Sequence, residues 1–246
     1  MHNVATQISV LTPASGGRSG LTFTTKPQVV LLDRFGNRVF KDSAVSLVGN
    51  PVVLSGSGSA AKVNNNNGSR DSAGVYTFDM GISGLVGNTY GINFLKLGGG
   101  LTSASQTGIT ITHGDAEKIG FLTLPSSTDS NQVRTKTGQN LLAQPVIEIQ
   151  DAVGNRVLDS SHEVTVTLEQ TFRGSRDFLR GYTVSAVSGV ATFNNLKMIV
   201  DPAQQYRLNF TFGLNVHTAP VQLQVTHADA EYLTIATAPD GGNKTG

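Results

Sequence analysis

Histidine and acidic side chains are the residues of this chain that could bind a metal ion or transfer protons. His2, His113 and His227 lie about one domain length apart, whereas a metal site needs three or four convergent ligands. We therefore expect a boundary histidine, which stands beside Asp115 or Asp229, to form a hydrogen bond across the domain joint. His162 and His217 lack counterparts elsewhere in the chain, and we expect both to be solvated surface residues.

Acidic residues beside His113 and His227 raise an alternative. Asp115 and Glu117 recur as Asp229 and Glu231. Carboxylate oxygens are the ligands that calcium prefers, and calcium at such joints would stiffen a rod of domains. A short polar linker explains the same residues without any ion. We therefore expect that the chain has no cofactor. Calcium at the joints is the alternative.

Motifs for covalent and hydrolytic chemistry are absent from the sequence. The chain has no cysteine, no Gly-x-Ser-x-Gly, no His-Glu-x-x-His and no phosphate-binding loop. Paired carboxylates would have to meet in a cleft, but most acids here fall in turns or stand isolated on polar strand faces. The sequence predicts that the chain is not an enzyme.

The motif Asp-x-x-Gly-Asn occurs twice, each time between two apolar segments. An Asp side chain can cap a turn, and Gly supplies the positive φ that tight turns need. One carboxylate per turn is far short of a calcium cage. We interpret both copies as structural turns, formed by Asp33, Gly36, Asn37, Asp151, Gly154 and Asn155.

Two segments and three sequons could support recognition or modification. Residues 55–74 are rich in Gly, Ser and Asn, and we expect a mobile loop there. Residues 170–181 mix aromatic and arginine side chains, types that are enriched at binding hot spots. The candidate binding residues there are Phe172, Arg173, Arg176 and Arg180. Asn67, Asn209 and Asn243 begin glycosylation sequons, whose use depends on a eukaryotic secretory route.

An internal repeat organises all of these residues. Thr-His-Gly-Asp-Ala-Glu at residue 112 returns 114 residues later as Thr-His-Ala-Asp-Ala-Glu. The Asp-x-x-Gly-Asn motif, Gly-Val-x-Thr-Phe and Tyr-x-x-Asn-Phe also recur in the same order. The repeat predicts one domain over residues 1–111, a second over 112–226, and the first strand of a third over 227–246. Because the chain stops within a repeat, we expect it to be a piece of a longer protein.

Alternating apolar and polar residues predict how each unit folds. Val164, Val166 and Leu168 alternate with threonines, and residues 206–212 and 221–225 show the same period of two. One face of each such strand is apolar and the other is wetted, as a two-sheet sandwich requires. About seven strands per unit of ~100 residues match an immunoglobulin-like fold. The predicted fold class is all-β, with two tandem immunoglobulin-like β-sandwiches.

Composition narrows the classes of partner. The net charge is +1 and no basic stripe appears, so nucleic acid is not expected. No apolar run approaches the ~20 residues of a membrane helix, so we expect no membrane span in this fragment. The absence of cysteine leaves the compartment open, since domains of ~100 residues can fold without disulfides.

The order of these motifs resembles the immunoglobulin-like repeats of invasin- and intimin-type bacterial surface proteins. It is also similar to filamin-type repeats and to repeats of large algal surface and flagellar-hair proteins. The resemblance covers both units and implies an extended chain of domains that projects, spaces or assembles. It carries over no binding residues.

The sequence thus favours a structural spacer in an extracellular, cell-surface stalk, filament or layer, whose partners are neighbouring repeats and other copies. An adhesive module that binds a glycan or protein through residues 55–74 or 170–181 is the alternative. A third hypothesis is an accessory domain of a distant catalytic domain. We also expect residues 233–237 to pair as an added strand with another domain or subunit.

Overall fold

The computed structural model describes residues 4–41, 45–58, 60–128, 134–169, 178–202 and 204–230. All regular elements in these ranges are β-strands, which confirms the predicted all-β class. These ranges hold no helix of the length and apolarity that crossing a bilayer requires.

Nine strands build the first half of the chain. They are β1 (Gln7–Thr12), β2 (Gly17–Arg18), β3 (Gln28–Leu32), β4 (Leu47–Ser55), β5 (Ala61–Arg70), β6 (Val75–Ser83), β7 (Thr89–Lys96), β8 (Ala104–Ile109) and β9 (Ile111–Thr112). Seven form one antiparallel sheet in the order β1-β3-β6-β5-β4-β7-β8. Its two edges meet, because the Ile8 N–H donates to the Thr102 carbonyl at 2.9 Å. The sheet therefore curls around its own core.

Among its described residues, the second half has nine further strands. They are β10 (Lys118–Thr123), β11 (Val146–Gln150), β12 (Glu163–Leu168), β13 (Phe178–Arg180), β14 (Thr183–Ser185), β15 (Val190–Thr192), β16 (Lys197–Ile199), β17 (Leu208–Phe212) and β18 (Asn215–Thr218). A sheet β10-β11-β15 and a sheet β14-β12-β17-β18 supply the two faces, and β13 pairs with β16.

Each half surrounds a hydrophobic core of its own. The first core draws its buried side chains from Ala5 to Ile111, and the second from Ile119 to Val225. We call the two halves the first and second sandwich. Phe78 packs on Phe94 at 5.0 Å between ring centroids in the first core, and the counterparts Phe193 and Phe210 pack at 6.0 Å in the second.

Side-chain alternation explains why these segments pair as they do. In β17, Leu208, Phe210 and Phe212 are buried, while Asn209 and Thr211 are half-buried on the opposite face. A strand points successive side chains to opposite faces, so this pattern places every second residue in the core. Burying such large apolar side chains contributes ~1.5–3 kcal/mol each.

The prediction of a mobile loop at residues 55–74 is wrong, because β5 occupies the centre of this segment. This strand pairs with β6 over most of its length, so backbone hydrogen bonds, not apolar side chains, hold it. The Asn66 side chain is buried and donates to the Asn50 side chain at 3.1 Å. A Cβ at Gly68 would lie 2.9 Å from the Phe78 ring, so glycine lets the strand lie close over the core.

One predicted strand also differs in the structure. Residues 221–225 form no strand and meet the sheet only through a bridge between Leu223 and Tyr206.

Candidate functional site at the joint between the two sandwiches

The two Asp-x-x-Gly-Asn segments fold into matching turns. Asp33 accepts hydrogen bonds through Oδ1 from the backbone N–H groups of Phe35 (2.8 Å) and Asn37 (2.9 Å). Asp151 Oδ1 likewise accepts from three backbone N–H groups two to four residues later, at 2.9–3.0 Å. The glycine of each turn has a positive φ, +84° at Gly36 and +109° at Gly154, which a side chain would strain.

Asn155 reaches from the second turn into the first sandwich. Its Nδ2 donates to the Gly84 carbonyl at 2.9 Å, and its Oδ1 accepts from the Val86 N–H at 2.8 Å. Nδ2 also donates to Asp151 Oδ2 at 2.8 Å, which fixes the orientation of the amide. Only 7% of Asn155 is exposed, so these bonds are made away from water. Asn155 therefore clamps the two sandwiches together.

The loop that receives this clamp is itself held firmly. The buried Ser19 hydroxyl donates to the Gly84 carbonyl at 2.9 Å and accepts from the Gly84 N–H at 3.2 Å. The Tyr90 hydroxyl donates to the Leu85 carbonyl, five residues upstream, at 2.8 Å. This bond has the form of the tyrosine corner found in immunoglobulin-like domains. The loop therefore presents its carbonyl and N–H groups in a fixed geometry.

The segment that connects the sandwiches is anchored to Asp151. The Gly114 N–H donates to Asp151 Oδ2 at 2.8 Å. Burial raises the pKa of Asp151, but hydrogen bonds from Gly114, the Asn155 side chain and the turn N–H groups outweigh burial, so the pKa falls below its ordinary 3.8. A Cβ at Gly114 would lie 2.3 Å from the Ser19 carbonyl oxygen, so glycine permits this close approach.

A short parallel strand pair and an ion pair complete the joint. Gly17 and Arg18 of β2 pair with β9, immediately before the connecting segment. Arg18 donates to Asp115 Oδ1 at 2.9 Å and to the Gly114 carbonyl at 3.3 Å. The two charged side chains are 42% and 71% exposed, so the ion pair is worth only about 0–1 kcal/mol.

The far end of the second sandwich repeats this arrangement. Lys136 bridges Thr226 in parallel and forms an ion pair with Asp229, as Arg18 does with β9 and Asp115. The Thr137 hydroxyl accepts from the Val200 N–H at 3.1 Å, as Ser19 accepts from Gly84. The Tyr206 hydroxyl also donates to the carbonyl five residues upstream, at 3.0 Å. The contacts at the joint end of the first sandwich therefore recur at the far end of the second sandwich.

Two open clefts flank the joint. One, of about 460 Å³, is lined by polar groups that include Arg18, Asp115 and His162. The other, of about 440 Å³, lies between Val86 of the first sandwich and Leu158 of the second and is mainly apolar.

Three of the four predicted calcium residues, Asp115, Glu117 and Asp229, lie among the described residues. Asp115 and Asp229 each pair with a cation, and Glu231 lies outside the described residues. Within the described ranges, no three His, Cys, Asp or Glu side chains come together as metal ligands would. Calcium at the joints, with Glu117 as a ligand, stays an untested prediction.

The histidines differ in their surroundings. His113 Nε2 lies 3.5 Å from Asp159 Oδ1 of the second sandwich. His217 accepts from the Ile119 N–H at 3.3 Å, and burial lowers its pKa below the ordinary 6.5. His217 is thus half-buried, contrary to the expected solvated surface position.

Predicted modification and recognition residues are only partly described. Asn209 Oδ1 accepts from the Thr218 hydroxyl at 2.6 Å across the strand pair. Asn93 makes the same bond with Ser105 at 2.9 Å in the first sandwich, although Asn93 begins no sequon. Asn67 is an exposed residue of β5. Asn243 lies outside the described residues, so glycosylation remains untested.

Of the candidate binding segment, only its end is described. Residues 170–177, with Phe172, Arg173 and Arg176, lie outside the described residues. Arg180 belongs to β13, and its guanidinium lies 5.8 Å from the Phe178 ring centre. Recognition by this segment therefore stays a prediction.

The clamp residues themselves were not singled out from the sequence. Asn155 was assigned only to a turn, and Ser19 and Arg18 were given no role. A signal was present, because Arg-Ser-Gly at residue 18 recurs 118 residues later as Lys-Thr-Gly at residue 136. A repeated basic–hydroxyl–glycine triplet in the sequence was thus a sign of the repeated joint.

Comparison with known proteins gives remote structural likenesses. No protein-family model and no curated protein sequence matches the chain. Among solved structures, a β-glycosidase from Bacteroides vulgatus is 10% identical with a TM-score of 0.36, and the match covers 91% of this chain and 25% of that one. The Yersinia pseudotuberculosis adhesin InvE is 14% identical with a TM-score of 0.33, over 93% and 65% of the two chains. Domains 4–9 of the surface-layer protein SbsC are 18% identical with a TM-score of 0.27, over 91% and 32%.

These matches correct one expectation and leave another open. The prediction that the chain is not an enzyme is contradicted by the glycosidase and by β-glucuronidases among the matches, so we withdraw it. The chain spans about a quarter of those enzymes. At these TM-scores the likenesses assign no activity. The matches do include an adhesin and surface-layer domains, while the particular immunoglobulin-like repeat family stays an expectation.

Proposed function

We propose that this chain is a spacer segment of an extracellular surface protein, in which β-sandwich repeats are joined end to end into a semi-rigid rod. The domain limits that we propose are residues 1–111, 112–226 and 227–246. The observation that carries the proposal is the hydrogen-bonded joint around Asn155, whose strand pair, hydroxyl and ion pair recur at the far end of the second sandwich.

The joint supports a spacer because it limits both bending and twisting. Two directional hydrogen bonds from Asn155 fix the turn against the loop at residues 84–86. Gly114 also ties the connecting segment to Asp151, and β2 holds the start of that segment by pairing with β9. A connecting segment that is hydrogen-bonded at both ends, beside a direct contact between the sandwiches, resists bending and rotation more than a free linker does. A force applied at one end of such a chain would therefore be transmitted along it.

Rotational diffusion tests the proposed spacer role. Backbone ¹⁵N relaxation of the full chain should fit a single elongated diffusion tensor shared by both sandwiches. Small-angle scattering should give a maximum dimension close to two sandwiches placed end to end. Two independent tensors, or a scattering curve of a compact particle with the sandwiches side by side, would refute it. Digestion of intact source cells, with an antibody against the chain as readout, tests the proposed surface location.

A matched pair of variants links rigidity to the joint. Asn155→Ala removes the clamp, whereas Asn37→Ala changes the equivalent residue of the first turn, whose side chain bonds to Asp33 within the turn. Only Asn155→Ala should loosen the coupling between the two tensors. If both variants leave the tensor unchanged, rigidity comes from the strand pair and the connecting segment instead.

A further inference from the structure

The outer end of the first sandwich carries the same turn that forms the joint, but here the turn is uncovered. Asn37 is exposed, whereas only 7% of its counterpart Asn155 is exposed. Phe35 and Phe40 beside it are 66% and 56% exposed. We propose that this surface, consisting of the turn at residues 33–37 and Phe40, docks the end loop of a further β-sandwich repeat. The inference rests on the proposed spacer role and names the partner of one of its ends.

The hydrogen-bonding groups of Asn37 are already set for this contact. Its Nδ2 donates to Asp33 Oδ2 at 3.2 Å, just as Asn155 Nδ2 donates to Asp151 Oδ2. An amide has two N–H donors and a carbonyl acceptor, so one bond to the aspartate leaves capacity for more. In Asn155 this capacity is used by a carbonyl and an N–H of the neighbouring sandwich. The same geometry is therefore available at Asn37.

The aromatic residues beside the turn supply apolar area. Phe40 corresponds in the repeat to Leu158, which lines the apolar cleft opposite Val86 at the existing joint. Phe40 would meet the residue at the Val86 position of a docked loop in the same way. The guanidinium of Arg38 lies 5.1 Å from the Phe40 ring centre, and that of Arg34 lies 4.4 Å from the Phe35 ring centre. Each exposed ring thus has a cation beside it.

The chemistry of the clamp selects the kind of loop that fits. Asn155 needs a carbonyl at the position of Gly84 and an N–H at the position of Val86. In the second sandwich the corresponding positions are Val200 and Pro202. Proline has no N–H, so that end offers the carbonyl alone. The partner is therefore a repeat whose end resembles that of the first sandwich, and not the far end of a second copy of this chain.

A chain with an added repeat tests the inference. Residues 1–111 are fused directly ahead of the full chain. This fusion keeps the spacing of the existing joint, because Thr6 and Glu117 are equivalent residues that lie 111 positions apart. The Thr6 N–H donates to the Leu32 carbonyl as the Glu117 N–H donates to the Gln150 carbonyl. Amide hydrogen exchange then reports on the Val86 N–H of the added repeat. We expect its exchange to be slowed as at the existing joint, and Asn37→Ala to speed it by at least about tenfold, a factor that one or two net hydrogen bonds supply.

Controls separate docking from damage to the turn. Asn37→Ala in the original chain removes the same bond within the turn, where no added joint exists. This variant therefore gives the baseline for losing the bond within the turn alone. Val86→Pro in the added repeat copies the natural Pro202 and should loosen the new joint without unfolding the repeat. If Asn37→Ala leaves the exchange of the added Val86 N–H unchanged, or if that N–H is never protected, the inference is overturned.

The outcomes also distinguish this inference from the proposed function. If the existing joint is rigid while the added repeat tumbles freely, the spacer role survives and the docking surface is refuted. If the existing joint is itself flexible in the original chain, the spacer role fails first. Protection at both joints, lost at the new one alone on Asn37→Ala, supports both.

Discussion

The strongest prediction concerns Asn155, whose side chain makes two hydrogen bonds between the sandwiches and one within its own turn. Asn155→Ala deletes all three. The Gly84 carbonyl keeps its bond from Ser19, and the Val86 N–H lies beside a half-exposed side chain where water can replace the amide. The cost between the sandwiches is then about two net hydrogen bonds, ~1–3 kcal/mol.

The contribution of the third bond, from Asn155 to Asp151 within the turn, must be subtracted, and the equivalent residue Asn37 makes this possible. Asn37→Ala deletes the equivalent bond to Asp33 in a turn that contacts no second sandwich among the described residues. The difference between the effects of the two variants on unfolding free energy should therefore be ~1–3 kcal/mol, with Asn155→Ala the more destabilising. Urea unfolding followed separately for each sandwich, by amide signals assigned in NMR spectra, measures both values.

A double-mutant cycle decides whether the loss arises from the contact itself. Val86→Pro removes the N–H that Asn155 Oδ1 accepts, with a residue that Pro202 shows to be tolerated at this turn position. If the two groups bond to each other, the double variant should lose less than the sum of the single variants. Strict additivity, or equal effects of Asn155→Ala and Asn37→Ala, would refute the role of Asn155 as an interdomain clamp.

Four further outcomes follow from particular contacts. Tyr206→Phe should destabilise the second sandwich by ~0.5–1.5 kcal/mol in chemical denaturation, because one hydrogen bond is lost while the Asp201 carbonyl still accepts from the Gln204 N–H at 3.4 Å. Gly189→Ala should cost several times more than Gly138→Ala in the same assay: both glycines have positive φ, but only at Gly189 would the Cβ clash, 2.4 Å from a carbonyl oxygen. The pKa of Asp151 is lowered from 3.8, so the stabilising effect of its carboxylate should be complete above that pH and be lost as the pH falls through the folded-state pKa. Asp151→Asn should abolish this pH dependence, as measured by urea titrations from pH 6 to 2. Calcium should leave the melting temperature unchanged relative to chelator, whereas an upward shift would support the calcium alternative.

Much of the fold was accessible from the sequence because the large apolar residues alternate. The pattern of Leu208, Phe210 and Phe212 needs no knowledge of distant residues to predict a half-buried strand. The error at residues 55–74 has the opposite cause. Composition counts apolar area along the segment, whereas β5 is held by backbone bonds to β6 and by a hydrogen bond from the buried Asn66 to the exposed Asn50.

The candidate site was harder to predict because the role of each Asp-x-x-Gly-Asn turn depends on which segment of the chain packs against it. Asn37 and Asn155 occupy the same motif and make the same turn, yet one is exposed and the other buried. The difference is the loop at residues 84–86, about 70 residues before Asn155 in the chain. No local pattern carries that information. The sequence repeat predicted that a joint exists, whereas the hydrogen bonds that form the joint could be identified only from the three-dimensional structure.

The distribution of charge at the joint indicates which contacts set its geometry. Arg18 and Asp115 are largely exposed, so salt with a screening length of ~8–10 Å weakens their attraction. The amide of Asn155 is neutral and buried, and its bonds depend on direction more than on ionic strength. If the joint relied on the ion pair, added salt would free the two sandwiches. If it relies on the amide, the angle between them should persist at high salt, and replacing Asn155 should change that angle more than replacing Arg18.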